Sequence, residues 1–427
     1  DLTFTVYNLF PDYTFPGKVT SIEVEVTGEA DEDKQVKITA KLNSDDPDYD
    51  GASSIYARFT SSIGTIHDIG LSPVNGSLDS VLVGTTTFNK LEKAGYWTLS
   101  SFNVFDKVGN KRLENTTTLG LKLFINNTLE DVIPAQWNYD LEMKVVKDKF
   151  IGGNLDGTFR NENGTEFQAI ELTGSVYENR KMERAGFRII NPTLDDPDAQ
   201  VYERQSWVSE FYKEKVVNDD VPKENEYETI KYMRAYMGIP DYYPSGYYSV
   251  SMMNFFDKAG NLSDTFFVRD TSDYYIDKLS KLKQFKDVRD SIYVKTEYPD
   301  YKKPEIDINN IDITAEPTNP QAPDGETQVD ITMLARDISD FPGYEAGVYA
   351  IDIRLRDPLG NEFTYNTYNG TMQHPQLDDV RSSNEYNKYG DGDWKAYDFR
   401  ILLPQGSAPG KWGISSATVW DRAGNYR

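Results

Sequence analysis

Apolar and polar residues alternate with a period of two along much of the chain. Val36, Ile38, Ala40 and Leu42 are separated by lysine, threonine and lysine, and Val329, Ile331, Met333 and Ala335 repeat the same phase. Side chains of a strand point alternately to its two faces, so this pattern predicts strands with one face buried. Strands of this kind are expected at Val36–Leu42, Ile55–Phe59, Ile170–Val176, Phe187–Ile190, Val329–Ala335 and Val348–Leu355, with loops at Asn43–Ser54, Glu178–Gly186 and Asp337–Gly347 between them. Helical spacing occurs at one place, Leu279, Leu282, Phe285 and Val288, where a short amphipathic helix is expected.

Three segments line up without a gap. Gly95-Tyr-Trp97 runs to Asp106-Lys-Val-Gly109-Asn110, Gly246-Tyr-Tyr248 to Asp257-Lys-Ala-Gly260-Asn261, and Gly410-Lys-Trp412 to Asp421-Arg-Ala-Gly424-Asn425. The leading glycines are 151 and then 164 residues apart, about one domain each. Within each segment an aromatic (Trp97, Tyr248, Trp412) shares a strand face with Leu99, Val250 or Ile414. The apolar phase then slips by one, to Phe102, Met253 or Ala417, which implies a β-bulge or a strand covered on both faces. The Asp-x-x-Gly-Asn end reads as a tight turn whose aspartate accepts backbone N–H groups and whose glycine supplies a positive φ. These fifteen positions are expected to be structural, and the aromatics to be core.

Short strands divided by turn signals, with no sustained helix, predict an all-β chain of three tandem immunoglobulin-like β-sandwich domains. The order of acidic loop, strand, insert, Gly-aromatic strand and Asp-x-Ala-Gly-Asn turn resembles the bacterial Ig-like repeats of large extracellular proteins. Those include S-layer proteins, adhesins and accessory regions of secreted hydrolases. The resemblance implies an extracellular or cell-surface location and says little about activity.

The expected organisation is a lone strand over 1–8, serving as the last strand of a preceding module or as a donor strand. Module one follows over 9–130, module two over 131–272 with a polar insert at 195–228, a linker over 273–308, and module three over 309–427 without its last strand. Leu119–Ile125 and Thr265–Val268 are expected to close modules one and two, and Asp1–Val6 resembles Asp264–Val268. Residues 1–7 of one copy could therefore complete the open third module of another.

Composition narrows the chemistry. Asp and Glu number 69 against 45 Lys and Arg, a net charge of −24, which disfavours nucleic acid and anionic membrane surfaces. No apolar run is long enough to span a bilayer, and the first residues do not read as a signal peptide. Cysteine is absent, excluding disulfides and thiolate metal sites. Two histidines, His67 and His374, read as surface-loop residues and leave little material for acid–base catalysis, so no enzyme is expected. Calcium is the one cofactor with a basis in the sequence: Asp45, Asp46, Asp48 and Asp50 crowd one loop of module one, and Asp337, Asp340 and Glu345 the matching loop of module three. Arg180, Lys181 and Arg184 in module two argue against an ion there. The expected function is a non-catalytic structural or interaction segment (S-layer, filament or adhesin stalk) whose partners are copies or further modules of the same protein. The alternatives are a module binding a surface glycan or protein, or an accessory region of a secreted hydrolase.

Overall fold

The computed structural model describes residues 2–43, 52–74, 80–138, 140–148, 167–194, 202–208, 229–267, 285–286, 291–366, 390 and 392–427. The chain is all-β and folds as three tandem Ig-like sandwiches, each built around its own apolar cluster. Among the described residues one helical turn is named, Thr116–Leu119, capped by the Asn115 side chain and ended by Gly120 in the left-handed region.

In module one, Val19–Thr27, Lys34–Leu42 and Val81–Phe88 form one layer. Ser54–Thr60, Ile66–Pro73 and Gly95–Phe105 form the other, edged by Lys111–Leu113 and Lys122–Ile125. Ile66–Pro73 links the layers by pairing with Ser54–Thr60 and, at its end, with Val81–Phe88. Ile38, Ala40 and Leu82 from one layer meet Ala57, Phe59 and Trp97 from the other in a single core. The alternation predicted for Lys34–Leu42 appears as strict buried–exposed alternation over most of the strand.

Modules two and three repeat this plan. Phe167–Tyr177 pairs with Glu142–Asp148 and Ile230–Ile239 to form one layer, facing Met182–Leu194 and Gly246–Asp257. Glu305–Pro317, Thr327–Arg336 and Lys395–Leu403 face Val348–Arg356, Glu362–Asn366 and Gly410–Asp421.

The three signature strands share a bulge at one repeat position. Register slips between Arg58 and Phe59 pass over Ser100, those between Arg188 and Ile189 pass over Ser251, and those between Arg354 and Leu355 pass over Ser415. One extra residue returns the following side chains to the core face, so Trp97 and Phe102 are both buried, as are Tyr248 and Met253.

Several expectations require correction. The linker proposed over 273–308 contains strands of both neighbours: Ser291–Val294 pairs with Gly246–Asp257, and Glu305–Pro317 opens module three. Phe285, expected on a helix, lies in the two-residue strand Phe285–Lys286, parallel to Leu262–Phe267; Leu279, Leu282 and Val288 lie outside the described residues. Part of the polar insert, Tyr202–Val208, is a strand on the edge of Met182–Leu194, where backbone pairing outweighs the polar sequence; the remainder lies outside the described residues. Leu262–Phe267 is not the closing strand of module two, because it pairs with the second half of the signature strand, as Lys111–Leu113 does in module one.

The strand that closes each sandwich pairs with the first half of the signature strand. Ile125 faces Gly95 and Val294 faces Gly246. In module three the same seat is taken by Thr3–Val6: Val6 faces Gly410, Thr5 Lys411, Phe4 Trp412 and Thr3 Gly413. Module three is therefore complete, with its closing strand drawn from a segment remote in sequence. Phe4 and Val6 belong to its core. By register, Thr3–Val6 corresponds to Ser291–Val294 and Lys122–Ile125, not to the segment at Asp264.

Candidate functional site

The Asp-x-x-Gly-Asn turns lie where one module meets the next. Asp106 Oδ1 accepts the N–H groups of Val108, Gly109 and Asn110 at 3.0, 2.8 and 2.8 Å. Asp421 Oδ1 accepts those of Gly424 and Asn425 at 2.7 and 2.8 Å, while its Oδ2 accepts Asn425 Nδ2 at 2.8 Å. Asp257 holds Asn261 in the same way through both oxygens. Gly109, Gly260 and Gly424 have φ of 97°, 82° and 100°, a region that disfavours side chains. The same turn occurs once more, at Asp357-Pro-Leu-Gly-Asn361, between two strands of module three.

The asparagines of the three signature turns reach across to a connector. Asn261 Nδ2 donates to the backbone oxygen of Asp131 at 3.0 Å, Asn425 Nδ2 to that of Asp300 at 3.1 Å, and Asn110 Nδ2 to that of Asp12 at 3.2 Å. The three acceptors each lie six residues beyond the end of a closing strand, at Ile125, Val294 and Val6. Their own N–H groups donate back to Leu91, Tyr242 and Gly406, each four residues before a signature glycine. One connector thus clasps the base of the module before it and the turn of the module after it. Ala346 and Ala423 of module three pack into the core cluster of module two, so the junction is apolar as well as hydrogen-bonded.

Carboxylates gather at the same places. Asp131, Glu178 and Asp257 form one group of three, and Asp300, Asp337 and Asp421 another; within each group one oxygen per residue lies within 4.8 Å of the others, and all six residues are buried. Each group contains a connector aspartate, the acid that follows the second layer strand, and the turn aspartate. Burial pushes the Glu178 carboxyl up to about 9 and the Asp257 carboxyl up to about 7, with the charge of Asp131 adding to both. Burial likewise raises Asp300, Asp337 and Asp421, and the like charges within that group raise Asp300 and Asp421 further. In module one Asp106 is raised to about 6, chiefly by burial and less by Asp12. The position there that matches Glu178 and Asp337 is Ser44, outside the described residues.

The structure sorts the expected ligands. Asp45, Asp46, Asp48 and Asp50 lie outside the described residues. Asp337 joins Asp300 and Asp421. Asp340 is exposed and paired with Lys302. Glu345 is buried but accepts the Gly343 N–H at 2.9 Å and stands outside the group. The basic residues of module two did not reveal its cluster, because the relevant side chain is Glu178, just before them; Arg180 contributes its backbone N–H to Glu178 Oε1 at 2.8 Å. His67 is not on a surface loop. It sits on the strand Ile66–Pro73, stacks on Phe88 at 3.8 Å, and bonds Glu92 and Thr86. His374 lies outside the described residues. Trp97, Tyr248 and Trp412 are buried, and each donates to the carbonyl four residues earlier.

No protein-family model matches the chain, and no curated protein matches it. Among solved structures it is similar to a leucine-rich repeat protein from Bacteroides thetaiotaomicron VPI-5482, at 12% identity and a TM-score of 0.14 over 58% of this chain and 23% of that one. It is also similar to the FN1–FN3 domains of chicken CNTN1, at 11% identity and a TM-score of 0.16 over 95% of this chain and 94% of that one. At these scores neither likeness bears on function, and the fold rests on the sheets and cores described above.

Proposed function

We propose that this chain is a non-catalytic structural segment of an extracellular or cell-surface protein, its sandwiches serving as spacers held at fixed junctions. One observation supports this most directly: residues 3–12, 122–131 and 291–300 are three copies of one junction unit, a closing strand followed by a connector that clasps the next turn. A unit repeated at every boundary serves to fix one module against another. An activity at one site would not require it.

The partner is another copy of this chain, or a further module of the same kind. Within the chain the seat beside Gly410–Gly413 is filled by Thr3–Val6; exchange of that strand between copies would fill it through the same backbone pairing and the apolar side chains Phe4 and Val6. The test is to delete residues 2–7 and compare assembly of the two proteins by native mass spectrometry and electron microscopy. Loss of ordered assemblies is expected; unchanged assembly would remove strand addition from the account. The repeat aromatics Trp97, Tyr248 and Trp412 are buried in the three cores and present no face to a glycan.

A further inference from the structure

We propose that the two carboxylate groups at the junctions, Asp131–Glu178–Asp257 and Asp300–Asp337–Asp421, each bind one hard divalent cation, calcium by the chemistry of the donors, which locks adjacent modules together. The first group carries the argument. Glu178 is fully buried and Asp131 is 3% exposed, yet Glu178 Oε2 and Asp131 Oδ2 have no hydrogen-bond partner. Both belong to the trio whose oxygens lie within 4.8 Å of one another. An unpaired carboxylate oxygen buried in protein is costly, and two together more so. Calcium binds oxygens at about 2.3–2.6 Å, so oxygens within 4.8 Å of one another are all within reach of one ion. An all-oxygen set without histidine or cysteine selects a hard cation over zinc or copper.

The second group occupies the same repeat positions. Asp300 matches Asp131, Asp337 matches Glu178 and Asp421 matches Asp257, the first pair six residues beyond the closing strand and the last opening the turn. In both, two ligands come from one module and the third from the connector that leads into it, whose backbone N–H is bonded to the module before. An ion there would tie together the same elements as the asparagine clasp. A proton shared between the carboxylates is the competing way to relieve the charge, and the experiment separates the two.

The inference rests on the junctions being fixed, as the proposed function has them, and is independent of strand addition. The full chain is dialysed against chelator and titrated with calcium chloride at pH 7.5, with magnesium chloride in parallel. Bound metal is counted by mass spectrometry, and melting is followed by circular dichroism. About two ions per chain and a rise in Tm of about 5 °C or more are expected. Glu178→Gln and Asp300→Asn should each remove one ion. Without metal, Glu178→Gln should melt above the unsubstituted protein, whereas in calcium it should melt below it. Should either variant fail to fold, amide exchange of the unsubstituted chain decides: calcium should slow exchange at Asn261 and Asn425. No bound calcium at about 1 mM would overturn the proposal. So would ions that persist in both folded variants, which would place them on the Asp45–Asp50 loop, or a Glu178→Gln gain that is the same with and without calcium, the mark of a shared proton. Native mass spectrometry in chelator reads strand addition separately, so either reading can fail alone.

Discussion

Val6 stands opposite Gly410 in the register that Val294 has with Gly246. The pairing brings Phe4 against Trp412, ring centroids 6.3 Å apart, and the backbone of Thr3 against that of Gly413. A Cβ at Gly413 would come within 3.1 Å of the Leu2 carbonyl oxygen, so the seat is shaped for a close-lying strand.

Phe4→Asp should empty that seat. Phe4 is 7% exposed in the module three core, and a buried unpaired charge in place of an aromatic costs about 3 kcal/mol or more. Module three alone should lose its protection against hydrogen exchange, with modules one and two unchanged.

Asn261→Ala should loosen one junction. It removes the bonds to Asp131 and Asp257 and leaves buried acceptors unpaired, a cost of about 1–3 kcal/mol. Asn361→Ala, in the same kind of turn but with its side chain bonded to Asp357 and exposed, should cost less. Limited proteolysis should cut the connector near Asp131 faster in the first variant and not in the second.

Stability in chelator should fall as pH rises. Glu178 is held at about 9 and Asp257 at about 7, both above the ordinary carboxylate range, mainly through burial and also through the charge of Asp131. Glu178 faces the Arg180 N–H together with Asp257 and Asp131. The folded state therefore binds these protons more tightly than the unfolded chain. Their stabilisation is complete below the unfolded values near 4 and is lost as pH climbs through about 7 to 9. The exposed Arg58–Asp68 pair, which acts in the opposite direction, contributes little. A lower Tm at pH 8 than at pH 5 in chelator is expected; a higher one would contradict the burial of these groups.

Trp97→Ala should destabilise module one by about 3–5 kcal/mol. Trp97 is fully buried, edge-on to Phe88 at 5.1 Å and to His67 at 6.3 Å, and its Nε1 donates to Lys93 at 2.8 Å. Urea unfolding of module one should move to lower concentration while the transition of module three stays in place.

The three signature strands were legible because strand period, bulge and turn each leave a residue-level mark: Trp97, the slip to Phe102, and Asp106 with Gly109. The closing strands are legible in part: Leu119–Ile125 covers that of module one, Lys122–Ile125, whereas Ser291–Val294 is too short to show a period and its place emerges only from backbone pairing. Crowding of acids drew attention to Asp45–Asp50 and Asp340, yet the buried groups combine single acids far apart in sequence. A signal was present in the connectors, where Asp12, Asp131 and Asp300 each stand six residues past a closing strand, but it is visible only once those strands are known. The turn at Asp357–Asn361 carries the full motif letters but no glycine-led strand precedes it, so the three-copy repeat does not point to it.

The account depends most on Thr3–Val6 occupying the seat in module three. Thr5 and Lys411 face each other across that pairing and are both exposed, and the chain has no cysteine of its own. Facing strand positions lie at a separation a disulfide can bridge. In a Thr5→Cys, Lys411→Cys protein, mild oxidation should give a quantitative disulfide between these two positions, within one chain or between copies, as read by non-reducing electrophoresis and peptide mapping. Two thiols left free under those conditions would contradict it.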